Sequence, residues 1–198
     1  MKKAFFLIMF LMIVFYSENI KANLRLLGDA NYGTHMVPLI TAVTHTQGAV
    51  LEMGSGDFST PLLHAICSKT ERYLLSVDTD QSWLNLFIDL KRDWHDLKYV
   101  PVFSDDFSKD PKPHLWDTIG TDRYWGVVFI DHRPGERRRI DINRLRKYAD
   151  IIVVHDTQEP SYGYESILNT FKYKFIYDRY ATTTTLVSDT IDVRLLFE

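Results

Sequence analysis

Acidic residues and histidines stand side by side at two points of the sequence, each directly after a short apolar run. Asp131 and His132 follow one run, and His155 and Asp156 follow the other. An imidazole titrates near neutral pH and can accept a proton from a hydroxyl group. Carboxylates that leave water must be paired or bind a cation. The four residues therefore indicate a site for proton transfer, and the pattern does not decide whether His132 or His155 is the base.

A turn with two glycines, Glu52-Met53-Gly54-Ser55-Gly56, follows another apolar run and precedes a helix signal at Ser59. Glycine permits positive φ and close approach to a ligand, and the N–H groups that begin a helix can donate to polar ligand atoms. Asp78 ends the next apolar run, where a carboxylate can accept both hydroxyl protons of a ribose. Position 59 lacks the third glycine of a dinucleotide motif, so the pattern favours a nucleoside without a pyrophosphate.

A sheet of parallel strands is the simplest structure that brings these residues together. Apolar and β-branched runs predict strands at 49–53, 73–77, 98–103, 126–130, 151–154, 172–177 and 182–188. Helix signals lie between them: Ser59 before Pro61 predicts a cap and a first-turn proline, and Asp80 predicts a second cap. The alternation predicts an α/β fold with one doubly wound sheet, whose ligands bind at the carboxyl ends of the strands.

The motifs at the first two strand ends resemble those of the class I S-adenosylmethionine-dependent methyltransferases. In that family the first strand ends in an acidic-x-Gly-x-Gly motif and the second in a ribose-binding acid. The resemblance spans about residues 48–188. It implies a Rossmann-like sheet of order 3-2-1-4-5-7-6 with an antiparallel C-terminal hairpin. The last strand of that hairpin could be formed by 182–188 or by 191–197. The implied contacts to S-adenosylmethionine are Glu52, Gly54, Ser55, Gly56, Ser59, Asp78, and Asp105 and Asp106 beside the adenine.

The ends of the fourth and fifth strands resemble the cation-dependent catechol O-methyltransferase type. Acids at these positions hold Mg²⁺ there, and the matching residues are Asp131 and Asp156, so the resemblance implies Mg²⁺ or another divalent cation as a metal cofactor. Such an ion would lower the pKa of an acceptor hydroxyl. The chain departs from that type at position 157, where it has Thr and the cation-dependent enzymes usually have Asn.

The function implied is methyl transfer to a hydroxyl of a small molecule or saccharide, with Asp131, His132, His155 and Asp156 as catalytic residues. The alternative is a secreted binding protein that keeps the fold and a nucleoside pocket without transfer. No Gly-x-Ser-x-Gly elbow follows any predicted strand, which argues against a hydrolase. The arginines of 133–139 would suit an acidic acceptor, or they form a solvated helix start.

The composition excludes several other classes. The chain has 198 residues, of which 45% are hydrophobic and 25% charged, and its formal net charge is −3. These values do not fit a disordered chain, and they give no positive excess for binding nucleic acid. Cys67 is the single cysteine and cannot form a disulfide within the chain. It lies in an apolar helical stretch, so we expect a buried core thiol.

Residues 1–22 have the features of a secretory signal. Lys2 and Lys3 precede an uncharged apolar run at 4–16, which is shorter than the roughly 20 residues that cross a bilayer. Cleavage after Ala22 would leave a methyltransferase-like domain at 23–198 in the secretory pathway or outside the cell. Without cleavage, the run at 4–16 would anchor the protein to a membrane.

Overall fold

A computed structural model describes residues 33–102 and 115–198. Its strands are β1 (Ala49–Met53), β2 (Leu74–Asp78), β3 (His95–Tyr99), β4 (Trp125–Ile130), β5 (Ala149–His155), β6 (Tyr173–Tyr177) and β7 (Thr184–Ser188). They form one sheet in the order β3-β2-β1-β4-β5-β7-β6. Strands β1 to β5 run parallel, and β6 and β7 form an antiparallel hairpin that joins the sheet through β7. The predicted Rossmann-like sheet, strand order and hairpin are confirmed.

The third strand begins and ends earlier than predicted. The apolar Val100 and Val102 suggested a strand at 98–103, but β3 covers His95–Tyr99. Among the described residues this strand lies at the edge of the sheet, so that one of its sides pairs with no strand of 33–102 or 115–198 and polar residues are tolerated there. Only His95 of β3 is buried, so the strand has no apolar run that marks it in the sequence.

Within the described residues, one helix precedes β1, one follows β7 and the others lie between strands. The α-helices are α1 (Met36–Thr44), α2 (Ser59–Thr70), α3 (Gln81–Leu84), α4 (Arg138–Leu145) and α5 (Glu165–Leu168). Short 3-10 helices are formed by Asn85–Leu90, Leu115–Thr118, Gly135–Arg137, Arg146–Tyr148, Pro160–Tyr162 and Val193–Phe197. The segment 191–197, which competed for a place in the hairpin, is therefore helical.

Helices cover both faces of the sheet. Successive strand residues point to opposite faces, and β1 accordingly sends Val50 toward Leu39 of α1 and Leu63 of α2. The next residue, Leu51, packs on the other face with Ile142 of α4. Because both faces are buried, the central strands read as nearly continuous apolar runs.

The two predicted helix starts differ in how they are capped. Asp80 caps α3 as predicted, since its side chain accepts hydrogen bonds from two backbone N–H groups of the helix at 2.8 and 3.1 Å. Helix α2 begins at Ser59, but the residue at the cap position is Phe58, whose side chain makes no capping bond. The hydroxyl of Thr60 instead accepts a hydrogen bond from the N–H of Gly56 at 2.9 Å. The polar contact at this helix start therefore comes from inside the first turn.

Cys67 is fully buried in α2, as predicted, and burial raises the pKa of its thiol to about 11. None of the helices in 33–102 and 115–198 combines the length and apolar character needed to cross a bilayer. The predicted signal segment at 1–22, and Asp105 and Asp106, lie outside the described residues.

Candidate active site

The turn after β1 approaches the end of β4 closely. Gly54 has a φ of +97°, and its N–H donates to the carbonyl of Val77 at 2.8 Å. A Cβ on Gly54 would lie 2.5 Å from the backbone N of His132 and 2.6 Å from the carbonyl carbon of Asp131. Only glycine fits here without a backbone shift. The turn lies where the chain order of the sheet reverses, between β1 and β4, which is where ligands bind in such folds.

Asp78, at the end of β2, holds the same turn. Its Oδ2 accepts hydrogen bonds from the N–H and the hydroxyl of Ser55, each at 2.8 Å, and its Oδ1 accepts from the N–H of Asp80 at 2.9 Å. A carboxylate offers about four acceptor positions, so these three contacts leave room for a ligand hydroxyl. The indole N–H of Trp83 donates to the carbonyl of Ser55 at 2.7 Å. Two residues predicted to bind the cofactor, Ser55 and Asp78, are thus in direct contact.

Glu52 lies beneath the turn. It is fully buried, and the Thr60 hydroxyl donates to its carboxylate, 3.0 Å from each oxygen. Burial raises the pKa of Glu52 to about 7, although hydrogen bonds from Ser59, Ser76 and Thr60 act in the opposite direction. Because Thr60 also accepts from the N–H of Gly56, Glu52 supports the turn through Thr60. Ser59 is likewise buried on this side of the turn.

Arg138, the first residue of α4, joins the acids at the ends of β4 and β5. Its Nη2 lies 3.1 Å from Oδ1 of Asp131, and its Nη1 lies 3.2 Å from Oδ2 of Asp156. It also donates to the carbonyls of His132 at 2.6 Å and His155 at 3.3 Å. Burial alone would raise the pKa of Asp131, but the hydrogen bond from His155 and the charge of Arg138 outweigh it and lower that pKa.

Asp131 and Asp156, the carboxylates predicted to hold Mg²⁺, therefore both contact the guanidinium of Arg138. Mg²⁺ is bound through oxygen ligands and several waters in octahedral geometry. Thr157, at the position where the cation-dependent type has Asn, is bonded to two other threonine hydroxyls at 2.8 Å each. With Arg138 between the acids and Thr157 engaged, the residues of this pair do not fit a Mg²⁺ ion.

His132 faces the interior beneath α4. Its Nε2 lies 2.9 Å from Oδ2 of Asp141, and its ring packs edge-on to Trp116 with centroids 4.9 Å apart. Asp141 is fully buried and also contacts Arg137 and Arg144. Burial would raise the pKa of Asp141, but its contacts with His132 and the two arginines outweigh this and lower the pKa to about 2. His132 thus belongs to a buried ionic network rather than to the crevice.

His155 pairs with Asp131 at the ends of β5 and β4. Its Nδ1 lies 3.1 Å from Oδ2 of Asp131, and its Nε2 lies 2.9 Å from the hydroxyl of Thr34. His35 packs beside it, with ring centroids 4.6 Å apart, and also contacts Phe129 at 4.8 Å. Burial, and then the proximity of His155, lower the pKa of His35 to about 4. The predicted residues Asp131 and His155 are thus brought together, and Thr34 and His35 lie beside them.

Three residues of this arrangement were not predicted. Thr34 and His35 precede α1, and nothing in their spacing marks them. The helical spacing of Arg137, Asp141 and Arg144 predicts ionic contacts along one helix, but the acids that Arg138 contacts lie outside that helix, so this spacing does not mark Arg138.

The interpretation of the arginine run 133–139 needs correction. Arg137 and Arg138 are buried and bind acids of the chain itself, whereas Arg133 and Arg139 are exposed. Only the exposed pair is free to meet an acceptor, and the run is not simply a solvated helix start.

Solved structures similar to this chain include methyltransferases. An O-methyltransferase from Bacillus cereus in complex with SAH is 11% identical, with a TM-score of 0.53, covering 89% of this chain and 88% of that one. Cofactor-bound Rv0187 from MTB is 13% identical, with a TM-score of 0.52 and coverage of 82% of each chain. A delta-N METTL16 MTase domain is 14% identical, with a TM-score of 0.50 and coverage of 80% of each.

No protein-family model matches the chain, and no curated protein matches it. At these identities the structural likeness concerns the fold. The chain has the class I S-adenosylmethionine-dependent methyltransferase fold.

Proposed function

We propose that this protein is an S-adenosylmethionine-dependent methyltransferase that acts on a hydroxyl group of a small molecule or saccharide. The observation that carries the proposal is the glycine turn after β1, which Asp78 holds at the point where the chain order of the sheet reverses. The Asp131–His155 pair lies at strand ends along the same crevice. The fold shared with an O-methyltransferase in complex with SAH supports this reading.

The residues of the turn fit the cofactor. Gly54 leaves no side chain between the turn and the end of β4, and Asp78 keeps an acceptor position for a ribose hydroxyl. Ser55 and Gly56 would line the cofactor, while Glu52 and Ser59 support the turn from beneath. When bound, S-adenosylmethionine supplies a methyl group on a sulfonium: the acceptor oxygen bonds to the methyl carbon, the carbon–sulfur bond breaks, and its electron pair stays on sulfur.

The acceptor hydroxyl also has to lose its proton. Asp131 and His155 are the hydrogen-bonded acid and imidazole at the crevice, and we assign this proton to the imidazole of His155, with Asp131 as its ionised partner. His132 contributes less directly, because it contacts Asp141 in the interior. Asp156 would position the pair through Arg138, which contacts both acids.

Two exposed arginines that follow β4 support an acidic acceptor. The exposed Arg133 and Arg139 offer N–H donors, which would favour an acceptor with a carboxylate. Entry into the secretory pathway through residues 1–22, or anchoring through 4–16, remains a prediction. A reporter fused to residues 1–30 tests it, and retention of the reporter in the cytosol would contradict it.

Calorimetry of the purified full chain with S-adenosylhomocysteine tests the cofactor. We expect binding by the wild type and about 10- to 100-fold weaker binding by Asp78→Asn, since a hydrogen bond to a charged group contributes about 1.5–3 kcal/mol. Asp96→Asn is the matched control: Asp96 lies at the amino end of β3, away from the crevice, and its partner is the Tyr73 hydroxyl at 2.8 Å. No heat of binding from the wild type would reject the proposal. Cofactor binding without turnover of phenols or uronic acids would favour the non-catalytic binding protein.

A further inference from the structure

We propose that His35, Asp131 and His155 hold a divalent transition-metal ion. The three residues come from separate parts of the chain: the residue before α1, the residue after β4 and the last residue of β5. Each offers one ligand atom, and these atoms lie within 4.8 Å of one another. The site differs from the Asp131–Asp156 pair, because two of its three ligands are imidazole nitrogens and because Arg138 contacts Oδ1 of Asp131, whereas Oδ2 faces His155.

His35 gives independent evidence for a ligand. Its side chain is 97% buried, at 3% relative exposure, and neither ring nitrogen has a hydrogen-bond partner within the described ranges. Leaving a buried polar group without a partner costs stability, so most such groups in folded proteins are satisfied. An ion beside His155 and Asp131 would give the lone pair of one ring nitrogen a partner.

The donor set suits such an ion, although one distance must shorten. Nitrogen and oxygen ligands lie about 2.0–2.2 Å from Zn²⁺, so in the tetrahedral geometry of zinc sites the ligand atoms are roughly 3.3–3.6 Å apart. Nδ1 of His155 and Oδ2 of Asp131 are already 3.1 Å apart, and the widest pair, at up to 4.8 Å, would have to close by about 1 Å. Two histidines and one carboxylate, with remaining positions open, are typical of catalytic zinc and non-haem iron sites.

The contacts behind the ligands hold the atoms that face away from the ion, while Nδ1 of His155 and Oδ2 of Asp131 face each other at 3.1 Å. The Thr34 hydroxyl bonds to Nε2 of His155 at 2.9 Å, which directs Nδ1 toward Asp131. Arg138 holds Oδ1 of Asp131, which leaves Oδ2 facing His155. Outer contacts of this kind fix the orientation of metal ligands and are part of functional metal sites.

The use of the ion rests on the proposed function. An ion at the ends of β4 and β5 would bind the acceptor oxygen at an open position and lower its pKa. In that case His155 acts as a ligand, and the Asp131–His155 pair activates the hydroxyl through the ion.

Metal binding can be measured without cofactor. The full chain is stripped with a chelator and titrated with Zn²⁺ by calorimetry, and Co²⁺ is added separately to record its visible absorption. We expect one ion per chain, a Co²⁺ spectrum of low coordination number, and at least about tenfold weaker Zn²⁺ binding by His35→Ala and His35→Asn. Circular dichroism checks folding, and if His35→Ala unfolds, the near-isosteric His35→Asn decides.

Two other histidine variants serve as controls. His45 is exposed just after α1, and His45→Ala should bind Zn²⁺ as the wild type does. His64 is a stricter control, because its Nδ1 lies 2.9 Å from Nδ1 of His95 and that pair could take up Zn²⁺ adventitiously. Unchanged binding by His64→Ala supports the proposed site.

Three results would overturn the proposal: no binding by the wild type, unchanged binding by a folded His35 variant, or loss of binding in His64→Ala. S-adenosylhomocysteine calorimetry on the same samples separates this proposal from the proposed function. Zn²⁺ binding without cofactor binding would keep the metal site and reject the methyltransferase. Cofactor binding without Zn²⁺ binding would do the reverse.

Discussion

Glu52 and Asp131 end neighbouring strands of the sheet, yet their surroundings shift their pKa values in opposite directions. Burial raises the pKa of Glu52 to about 7, and the hydrogen bonds from the hydroxyl groups of Ser59, Ser76 and Thr60 offset this only in part. Asp131 is also subject to burial, but its contacts with His155 and Arg138 outweigh it. Asp131 is therefore ionised at neutral pH and can attract a cation. Glu52 can hold the glycine turn without bringing a full negative charge beneath the cofactor.

The raised pKa of Glu52 predicts a pH-dependent stability. A carboxyl whose pKa is higher in the folded state contributes stability that is complete below the unfolded value of about 4.5 and is lost as pH rises through about 7. Relative to Glu52→Gln, the wild type should lose about 3 kcal/mol of unfolding free energy across this range. Urea unfolding at a series of pH values measures the difference. The exposed Glu136→Gln is the control, and a wild-type to Glu52→Gln difference that stays constant with pH would contradict the prediction.

At the scale of elements, α4 is attached to the sheet by charges as well as by apolar packing. Asp141 is fully buried, and its carboxylate contacts His132, which follows β4, and Arg137 and Arg144. It also accepts a hydrogen bond from the indole N–H of Trp116 at 3.1 Å. These contacts join α4 to the end of β4 and to the 3-10 helix Leu115–Thr118. Because most of the partners of Asp141 are themselves buried, removing its carboxylate would leave their charges uncompensated in the interior.

Asp141→Ala should therefore destabilise the protein by about 3–5 kcal/mol, the cost of breaking a buried ion pair. The pKa of Asp141 is lowered to about 2, so its stabilising effect should be present above about pH 3.8 and be lost as pH falls toward 2. The contribution of Glu52 changes with pH in the opposite direction. Denaturant unfolding at neutral and acidic pH measures both effects. Asp122→Ala is the control, since Asp122 is exposed and forms a surface pair with Arg123 at 3.7 Å, for which a change within about 0.5 kcal/mol is expected.

Elements that are buried on both faces could be predicted from the sequence, and contacts between distant segments could not. Strands β1, β4 and β5 are apolar along nearly their whole length because helices cover both sides of them. The edge strand β3 has no such run, and its predicted bounds were displaced. The Thr34–His155 contact joins residues 121 positions apart, and Arg138 reaches its two acids only because α4 starts beside the ends of β4 and β5. Both sets of contacts join separate segments of the chain, and no local sequence pattern predicts them.

At the scale of the whole molecule, the crevice lies where the chain order of the strands reverses, between β1 and β4. Strands β2 and β3 lie on the β1 side of this point, and β5 lies on the β4 side. The two halves meet at Gly54, whose added Cβ would contact backbone atoms of His132 and Asp131. This single position therefore sets how closely the half that holds Asp78 approaches the half that holds the Asp131–His155 pair. A shift here would alter the distance between the two parts of the site.

Gly54→Ala should for this reason lose both stability and cofactor affinity. Gly48→Ala is a matched control, because Gly48 also has positive φ, +83°, but its added Cβ would meet only the N of Gly126 at 3.6 Å, an ordinary contact. We expect Gly48→Ala to cost about 1–2 kcal/mol through backbone strain and to bind S-adenosylhomocysteine normally. Gly54→Ala should cost more than about 3 kcal/mol, since β4 must also move away, and should bind the same compound at least about tenfold more weakly. Urea unfolding and calorimetry measure the two effects, and equal behaviour of the two variants would show that the close approach at Gly54 does not hold the site together.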